Sequence, residues 1–435
     1  MARVRPNPTL SSDLLTEILK RLPVKPLVQY QLVSKTWLSL IKDPAFAEAQ
    51  LRHAISTGTD ETLIITRYLD LRGGLRQKFS LFNIDSCEIM RDVKYPCPRN
   101  EPIRSERYFR LVGSANGIVC VANYDFHPDV REFCDPVFLW NPAIRQIKIL
   151  PPLPVGELYD LGFGYDPVDR DYKVVFVVRK PCLSVEVYSA NSNVWRKVAS
   201  PIPTALIDRF CSTFHVCVNG FLCGAGDWGM IGMMVVFDLN REVMNCAIKL
   251  PVDGGRDDGD DDDDDDNEDD YDDEYDDEYG FHYDSDGSYE AEANTRIIEF
   301  NKSLGVIVLW ANALDYELSD WRWNKKVELW KLDDEACLRG GGDEASWMLM
   351  FSLKFDRPAL LRNGYFSNGN LLLSVRSDSY MWISCDVDKK DAKIVPLSDE
   401  MADCCYCYDI CKYTESLVSL AGFKQISWNA GEDDN

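Results

Sequence analysis

A pattern of about fifty residues recurs along this chain, and it restricts the fold more than any other feature. Each copy has a hydrophobic strand ending in an aromatic residue, a polar turn and a second strand. The aromatic positions are Phe82, Trp140, Tyr188, Phe237, Trp330 and Trp382. They lie 58, 48, 49, 93 and 52 residues apart, and setting aside a tract of 42 residues (253–294) reduces the gap of 93 to 51. Sheets repeated at this period are typical of β-propeller blades.

The repeat predicts a mainly β fold, a six-bladed β-propeller over residues 57–425. Seven blades are the alternative, if the long first gap merges two copies. The Phe82 copy shows three strands, from Thr62 to Val93. We expect residues 413–420 (YTESLVSL) to supply its fourth, because joining the chain ends in one blade closes the ring and removes exposed sheet edges. The Asn, Asp and Ser residues after the aromatic strands are typical of hairpin turns.

The net charge of −25 is concentrated in one tract. Residues 253–294 contain 23 acidic residues and one basic residue, Arg256, so they contribute −22 and the remainder contributes −3. Such a composition predicts a disordered insert within the propeller. The insert either solvates the protein or captures a basic partner electrostatically. Neither it nor the nearly neutral body suits nucleic-acid binding, which requires a basic face.

The chain shows no export or membrane signal. Its first residues, MARVRPNPTLSSDLL, lack the apolar core of a signal peptide. No run approaches the roughly 20 apolar residues of a membrane helix. We therefore expect a soluble protein of the cytoplasm, with the nucleus as a second location, and no membrane partner. The fifteen cysteines are then reduced and serve as small apolar residues.

No residue pattern points to catalysis, a metal or a cofactor. The histidines His53, His127, His215 and His282 share no motif with a nucleophile. The cysteines of DCCYCYDIC (residues 403–411) include an adjacent pair, which makes tetrahedral zinc ligation by all four awkward. We expect reduced thiols there and no cofactor in the chain.

Residues 9–56 predict a small module of short helices. Ser12 is the expected cap of the first helix, and Pro23 is expected to end it. Pro26 is expected to open the second helix, and Asp43-Pro44 to cap and begin the last. About forty residues rarely bury enough surface to be stable alone. The apolar residues of the module therefore pack on the chain's own body or are covered by a partner, as in a helix-in-groove contact.

The segment SSDLLTEILKRLPVKPLVQYQLVSKTWLSLIKDPAF resembles an F-box. Ile18-Leu19, Leu22-Pro23 and the run from Val33 to Trp37 follow the order and spacing of that family. The usual opening proline is Ser11 here, and a cysteine common in plant members is Leu32. The resemblance implies that the module docks on an SKP-type adaptor, which links it to a cullin-RING ligase. The expected docking residues are Leu14, Ile18, Leu22, Pro23, Leu27, Val33 and Trp37; helix packing is their alternative role.

The repeats resemble the kelch-like, F-box-associated domain of plant proteins. The segments that carry this resemblance are LWNPAIRQIKILPPLP, LGFGYDPVDRDYKVV, VEVYSANSNVWRKV and YTESLVSLAGF. With the F-box, they are most similar to S-locus F-box and S-locus F-box-like proteins of self-incompatible plants. The resemblance implies a non-catalytic substrate-recognition subunit of an SCF-type E3 ubiquitin ligase, with a pistil ribonuclease as one candidate substrate. The alternative is a propeller scaffold or glycan-binding module without a role in ubiquitin transfer.

Overall fold

A computed structural model describes most of the chain in discrete ranges. The described residues are 11–57, 62–71, 74–86, 88–93, 107–127, 130–152, 157–180, 184–198, 212–226, 232–252, 292–311, 325–340, 345–355, 360–376, 380–395, 404–406 and 409–425. The first range is helical, and the later ranges are almost entirely β-strands and their turns.

Four α-helices form within the first described range. They are α1 (Ser12–Leu19), α2 (Val24–Tyr30), α3 (Lys35–Ile41) and α4 (Pro44–Thr57). Ser11 caps α1 in place of the predicted Ser12, because its hydroxyl is the one that accepts from the amide of Leu14, at 3.3 Å. The second helix begins at Val24 and not at Pro26, since a proline fits within the first helical turn, where its missing N–H has no intrahelical partner.

The described strands form six antiparallel sheets, which confirms the predicted six-bladed propeller. Blades 1 to 6 are numbered in chain order, and all strand bounds follow. Blade 1 has β1 (Thr62–Leu71), β2 (Gly74–Asn83) and β3 (Glu88–Val93); blade 2 has β4 (Arg107–Ala115), β5 (Ile118–His127), β6 (Val130–Asn141) and β7 (Gln146–Ile149); blade 3 has β8 (Glu157–Asp166), β9 (Asp171–Lys180), β10 (Ser184–Ser189) and β11 (Val194–Val198). Blade 4 has β12 (Ser212–Val218), β13 (Phe221–Gly226), β14 (Met233–Asp238) and β15 (Val243–Lys249); blade 5 has β16 (Glu292–Phe300), β17 (Ser303–Ala311), β18 (Lys325–Leu332) and β19 (Trp347–Phe355); blade 6 has β20 (Leu360–Ser367), β21 (Asn370–Arg376), β22 (Tyr380–Asp386) and β23 (Asp391–Val395).

The end of the chain completes the first two blades. The strands β24 (Cys404–Tyr406) and β25 (Ile410–Tyr413) both pair with β1, and β26 (Lys424–Gln425) pairs with β7. The predicted sharing of blade 1 by the two chain ends is therefore confirmed. The predicted segment, residues 413–420, is wrong in detail: of these residues only Tyr413 belongs to the closing strand. Residues 414–420 instead run past blade 2 without forming a strand.

Six clusters of buried apolar residues join the blades in a ring. Each cluster lies between neighbouring blades, and one joins blade 6 to blade 1 through residues such as Trp382 and Phe82, whose rings stack at 5.1 Å. Close packing of the first strands needs small residues: a Cβ added to Gly162 of β8 would lie 2.7 Å from the ring of Phe214 on β12. Blades of this kind have no core of their own, so the closed ring provides it.

Polar contacts reinforce the closure of the ring. The amide of Thr66 donates to the carbonyl of Asp409 at 3.0 Å, and the amide of Asp409 donates back to the Thr66 hydroxyl at 3.1 Å. The Asp409 carboxylate pairs with Arg110 of blade 2 at 3.2 Å. The hydroxyl of Tyr365 in blade 6 donates to the carbonyl of Ile410 at 2.7 Å. The residues at the closing strand thus bind blades 1, 2 and 6 together.

Blades 3 and 4 share a buried charge cluster. The ammonium of Lys173, only 2% exposed, donates to the Asp166 carboxylate at 2.8 Å and to the carbonyl of Leu239 at 2.7 Å. It also pairs with Glu242 at 3.2 Å. Burial tends to lower the pKa of Lys173, but its hydrogen bonds to the two carboxylates raise the pKa overall. The ammonium is therefore charged in the folded protein and ties the two blades together.

Candidate functional site

The antiparallel order of the strands gives the ring two different faces. The strands of blade 1 are counted from β25, in the order β25, β1, β2 and β3, and those of the other blades in chain order. With this count, the hairpins after the first and third strands of a blade lie on one face, which we call the hairpin face. The connections after the second and fourth strands lie on the other, the connector face.

Most hairpins of the hairpin face are short and are held by turn residues; for example, the Asn141 carboxamide accepts from the amide of Ala143 at 3.0 Å. The β18–β19 connection is the exception, with fourteen residues that include a 3₁₀ helix, Glu335–Arg339.

The predicted acidic insert, residues 253–294, falls between β15 and β16, so the chain enters and leaves it from the connector face. Residues 253–291 lie outside the described residues, and the predicted end of the insert is wrong: residues 292–294 form the start of β16, where they pair with β17.

The helical module packs on the hairpin face. Its buried cluster includes Leu19, Val24, Leu27 and Phe46, and it also contains Leu417 from the segment after the closing strand. Ala143 and Ile144, in the hairpin between β6 and β7, pack against the same cluster. An ion pair between Glu48 of α4 and Arg170 of the β8–β9 hairpin adds a polar contact. The module therefore shares part of its core with the propeller.

The module nevertheless leaves large apolar side chains exposed. Leu14 and Ile18, four residues apart on α1, are 49% and 45% exposed. Val33, between α2 and α3, is 61% exposed, and its neighbour Leu32 is 90% exposed. Leu32 was not among the predicted docking residues; its apolar character at a loop position between two short helices was the available signal. Exposed apolar residues grouped in one small module indicate an interaction surface.

Three further predicted docking residues lie at or below this surface. Pro23, which caps α2, is exposed. Leu22 and Trp37 are half-buried and pack against the module's core, and the Trp37 ring meets Tyr30 edge-on at 5.4 Å. Ser34 fixes the start of α3 by accepting from the Trp37 amide at 3.2 Å. Trp37 therefore combines a packing role with a partly accessible face.

Leu27 does not belong to the exposed set. Its side chain is fully buried, at 0% exposure, within the module's core. It lies on the face of α2 that packs inward, together with Val24. In this conformation Leu27 positions α2 and offers no surface to a partner, which favours the alternative role of helix packing for this residue. Its place on the docking face stays a prediction.

The described side chains form no cluster suited to a metal ion. No group of three or more His, Cys, Asp or Glu residues among them has the required geometry. The side chains of Cys404 and Cys405 and all of Cys407 lie outside the described residues, so the cysteine-rich segment stays a prediction of reduced thiols. Burial raises the pKa of the Cys385 thiol to about 12, which keeps that thiol protonated and unreactive at neutral pH.

Within the part of the chain that the structure describes, no helix has the length and apolar character required to cross a bilayer.

Comparisons with known proteins agree with both regions. Residues 8–48 match the F-box domain, and residues 75–261 match the F-box associated beta propeller domain. F-box protein CPR1 of Arabidopsis thaliana is 34% identical over 211 residues, which are 44% of this chain and 46% of that protein. F-box/kelch-repeat protein At3g23880 of the same species is 27% identical over 246 residues, 54% of this chain and 63% of that protein.

A third relative matches a similar share of the chain. Putative F-box protein At1g33530 of Arabidopsis thaliana is 30% identical over 250 residues, 54% of this chain and 48% of that protein. The chain thus spans about half the length of the curated relatives it matches. It contains an F-box followed by an F-box-associated β-propeller domain, and it is homologous to F-box proteins of Arabidopsis thaliana.

Proposed function

We propose that this chain is the substrate-recognition subunit of an SCF-type E3 ubiquitin ligase. The F-box docks on an SKP-type adaptor, which bridges to the cullin-RING ligase, and the propeller binds the protein target. The chain itself performs no chemistry in this role: holding the target beside the ligase raises the effective concentration of the reacting groups. It acts in the cytoplasm, and the nucleus is a second proposed location.

The exposed apolar residues of the F-box are the observation that carries this proposal. Leu14, Ile18, Leu32 and Val33 gain stabilisation only when something covers them, at about 25 cal/mol per Å² of apolar surface removed from water. The propeller already covers another part of the module, through Leu417 and the β6–β7 hairpin. A second protein is therefore the natural cover for the exposed set, in the manner of helices packed into an apolar groove.

The position of the module favours the connector face as the target site. The module occupies part of the hairpin face, at Ala143, Ile144 and Arg170. Several connections of the opposite face are long: thirteen residues separate β3 from β4, β11 from β12 and β17 from β18. Binding residues of rigid scaffolds lie disproportionately on loops. A target bound there would be separated from the adaptor by the thickness of the ring.

A basic protein is the finer proposal for the target. The similarity to S-locus F-box proteins makes a pistil ribonuclease the first candidate. The −22 charge of residues 253–294 supports it by charge complementarity alone. Deleting residues 253–291, which leaves β16 intact, should lower the association rate for a basic ribonuclease at low salt, with little change at high salt, as measured by stopped-flow binding. An unchanged rate at every ionic strength would remove this support.

Adaptor binding separates the ligase proposal from a scaffold or glycan-binding propeller. We expect the full chain to bind a purified SKP-type adaptor, and the double variant Leu14→Asp/Val33→Asp to bind at least tens of times more weakly, because buried interface charges without partners cost about 2 kcal/mol or more. Ile55→Asp is the matched control, since Ile55 is 45% exposed on α4, outside the F-box match. Absence of binding by the wild type, or equal loss in the control, would reject the docking surface.

The same double variant allows the target to be captured. The double variant cannot bind the adaptor, so it should retain its bound target without presenting it to the ligase. The target should become modified with ubiquitin when the wild type or the control is present, and should stay unmodified when the double variant is present. A bound glycan, with no protein target and no adaptor binding, would favour the alternative module.

A further inference from the structure

A pocket of about 240 Å³ lies between blades 6 and 1 and opens on the hairpin face. From blade 1, residues 84–86 of the β2–β3 hairpin line it. The residues that line it from blade 6 belong to β21, β22 and β23; they are Asn370, Leu372, Ser384, Lys393 and Val395. The described contacts of the helical module with the blades are at blades 2 and 3, on another part of the same face.

Turn residues hold the hairpins on both sides of the pocket. On blade 1, the Asn83 side chain accepts from the amide of Ser86 at 2.8 Å. On blade 6, the Asp386 carboxylate accepts from the amide of Lys389 at 2.9 Å and from its ammonium at 2.6 Å. The two walls are therefore held in place by bonds within each blade. A pocket that is formed before its ligand arrives requires little ordering on binding.

The inner side of the pocket is aliphatic. Ile84, Leu372 and Val395 are 7%, 2% and 5% exposed, and all three belong to the buried cluster that joins blade 6 to blade 1. An apolar cavity of about 150 Å³ holds benzene, so this pocket has room for one molecule with a small aliphatic group.

The outer side of the pocket has two charges of opposite sign on opposite walls. Asp85 is exposed on blade 1, and Lys393 is exposed on blade 6. Neither side chain forms an ion pair or a hydrogen bond with any described residue. The two charges therefore border the same space without neutralising each other. The half-buried side chains of Asn370 and Ser384 add hydrogen-bonding groups to the lining.

We propose that this pocket binds a free α-amino acid with an aliphatic side chain. The Lys393 ammonium pairs with the carboxylate of the ligand, and the Asp85 carboxylate pairs with its ammonium. The side chain of the ligand packs on the aliphatic inner side. A free amino acid has both charges and an apolar group in one small molecule, whereas a peptide terminus has only one of the two charges. The site is independent of the proposed ligase role.

The position of the pocket gives the ligand an effect on the ring. A ligand held by both walls links blade 6 to blade 1, and blade 1 is the blade that the end of the chain completes. Because the ligand binds only when both walls are in place, it stabilises the closed ring by mass action. The melting temperature of the chain should therefore rise with ligand concentration.

Calorimetric titration of the full chain with L-leucine tests the pocket. We expect saturable binding at a single site. Leucinamide lacks the carboxylate, N-acetyl-leucine lacks the ammonium and glycine lacks the side chain, so each should bind about tenfold or more weakly than leucine. The melting temperature should rise with leucine and change less with each of the three analogues at the same concentration.

Variants of the two charged residues assign the contacts. Lys393→Met and Asp85→Asn should each weaken leucine binding about tenfold to a hundredfold, because each removes one charged hydrogen bond. In Lys393→Met, leucine should bind no better than leucinamide. Lys390→Met and Asp388→Asn are the matched controls, since both residues are exposed on the β22–β23 hairpin outside the pocket lining, and they should bind leucine as the wild type does. The melting temperature without ligand reports whether each variant folds, and the analogues test the same contacts in the wild type if one does not.

Three results would overturn the proposal. One is a wild type that shows neither binding heat nor a melting shift with leucine, isoleucine, valine or methionine up to about 10 mM. Another is equal affinity for leucine, leucinamide and N-acetyl-leucine, which would show that the two charges are not used. The third is leucine binding that the pocket variants and their controls weaken to the same extent, which would place the site elsewhere.

Discussion

The propeller and the helical module bury their apolar residues to different degrees. In the propeller, six buried apolar clusters fill the spaces between neighbouring blades, and most strands with an exposed large apolar residue have only one among the described residues. The module has one cluster, which takes Leu417 from the propeller chain, and it exposes Leu14, Ile18, Leu32 and Val33. The contrast indicates that the ring supplies its own stability, whereas the module depends on contacts from outside it.

Removing the segment that closes the ring, residues 409–425, should have the largest effect on the stability of the ring. Deleting residues 409–425 removes β25, β26, Asp409 and Leu417, so blade 1 loses an inner strand and the module loses part of its core. We expect loss of cooperative unfolding and rapid proteolysis, since each blade relies on its neighbours for a core. Urea unfolding followed by tryptophan fluorescence checks this. A truncated chain with the cooperative transition of the wild type would show that the ring does not depend on closure.

Replacing Lys173, the buried lysine between blades 3 and 4, should have the next largest effect on the free energy of unfolding. Lys173→Met leaves the carboxylates of Asp166 and Glu242 without their ammonium partner, and we expect a loss of about 3 kcal/mol or more in the free energy of unfolding. Lys389→Met is the control, because Lys389 pairs with Asp386 at the exposed end of blade 6 and its removal should change stability little. Equal effects in urea titrations of the two variants would argue against a buried link between the blades.

Replacing Leu417 should destabilise the module without destabilising the ring. It is 7% exposed and packs in the module's cluster, so Leu417→Ala should cost about 2–3 kcal/mol. The loss should appear as faster amide exchange in α2 and α3, with exchange in the central strands of blades 3 to 5 unchanged. Val194→Ala, at a half-exposed position on β11, is the matched control and should alter neither region. Uniformly faster exchange in the whole chain would mean that module and ring unfold as one unit.

A smaller effect should be a pH dependence of the free energy of unfolding, caused by the Asp166 carboxylate. Burial tends to raise the pKa of Asp166, but hydrogen bonds from Lys173 and from the amides of Asp169 and Val168 hold the pKa below its ordinary value. A carboxyl whose pKa is lower in the folded state stabilises the protein above its unfolded pKa of about 3.9, and that stability is lost as the pH falls through the folded pKa.

The corresponding variant is Asp166→Asn. The difference in unfolding free energy between wild type and variant should be about 1–3 kcal/mol at neutral pH and should narrow below about pH 4. Urea titrations at several pH values between these limits measure it. A difference that stays constant down to acid pH would show that the carboxylate charge contributes nothing.

The propeller could be predicted because its period is set by local chemistry. Each third strand ends at a buried residue followed by Asn, Asp or Ser, as in Phe82-Asn83 and Phe237-Asp238. In blades 5 and 6 this position is held by Leu332 and Cys385, so the aromatic residues used to define the repeat, Trp330 and Trp382, lie two and three residues early. A displacement of two or three residues is small compared with the period of about fifty, so it does not change the predicted number of blades.

The closing strand and the docking face depended on contacts that periodicity does not encode. Residues 413–420 contain apolar residues that a strand could bury, but Leu417 is buried by the module and the Ser416 carbonyl accepts from the Asn141 side chain at 3.0 Å. Their burial comes from contact between two regions and not from a sheet. For the same reason, the inward orientation of Leu27 could not be predicted from the sequence of α2, because it depends on how α2 packs against the other helices.

Hydrogen exchange of the full chain, alone and with an SKP-type adaptor, tests most directly whether the module depends on a partner that the ring does not need. Amides of α1, α2 and α3 should exchange through openings of lower free energy than amides in the central strands of the blades. Adding the adaptor should slow exchange in these helices and leave the blades unchanged. Helices that exchange as slowly as the blades in the free chain, or that gain no protection from the adaptor, would contradict this account.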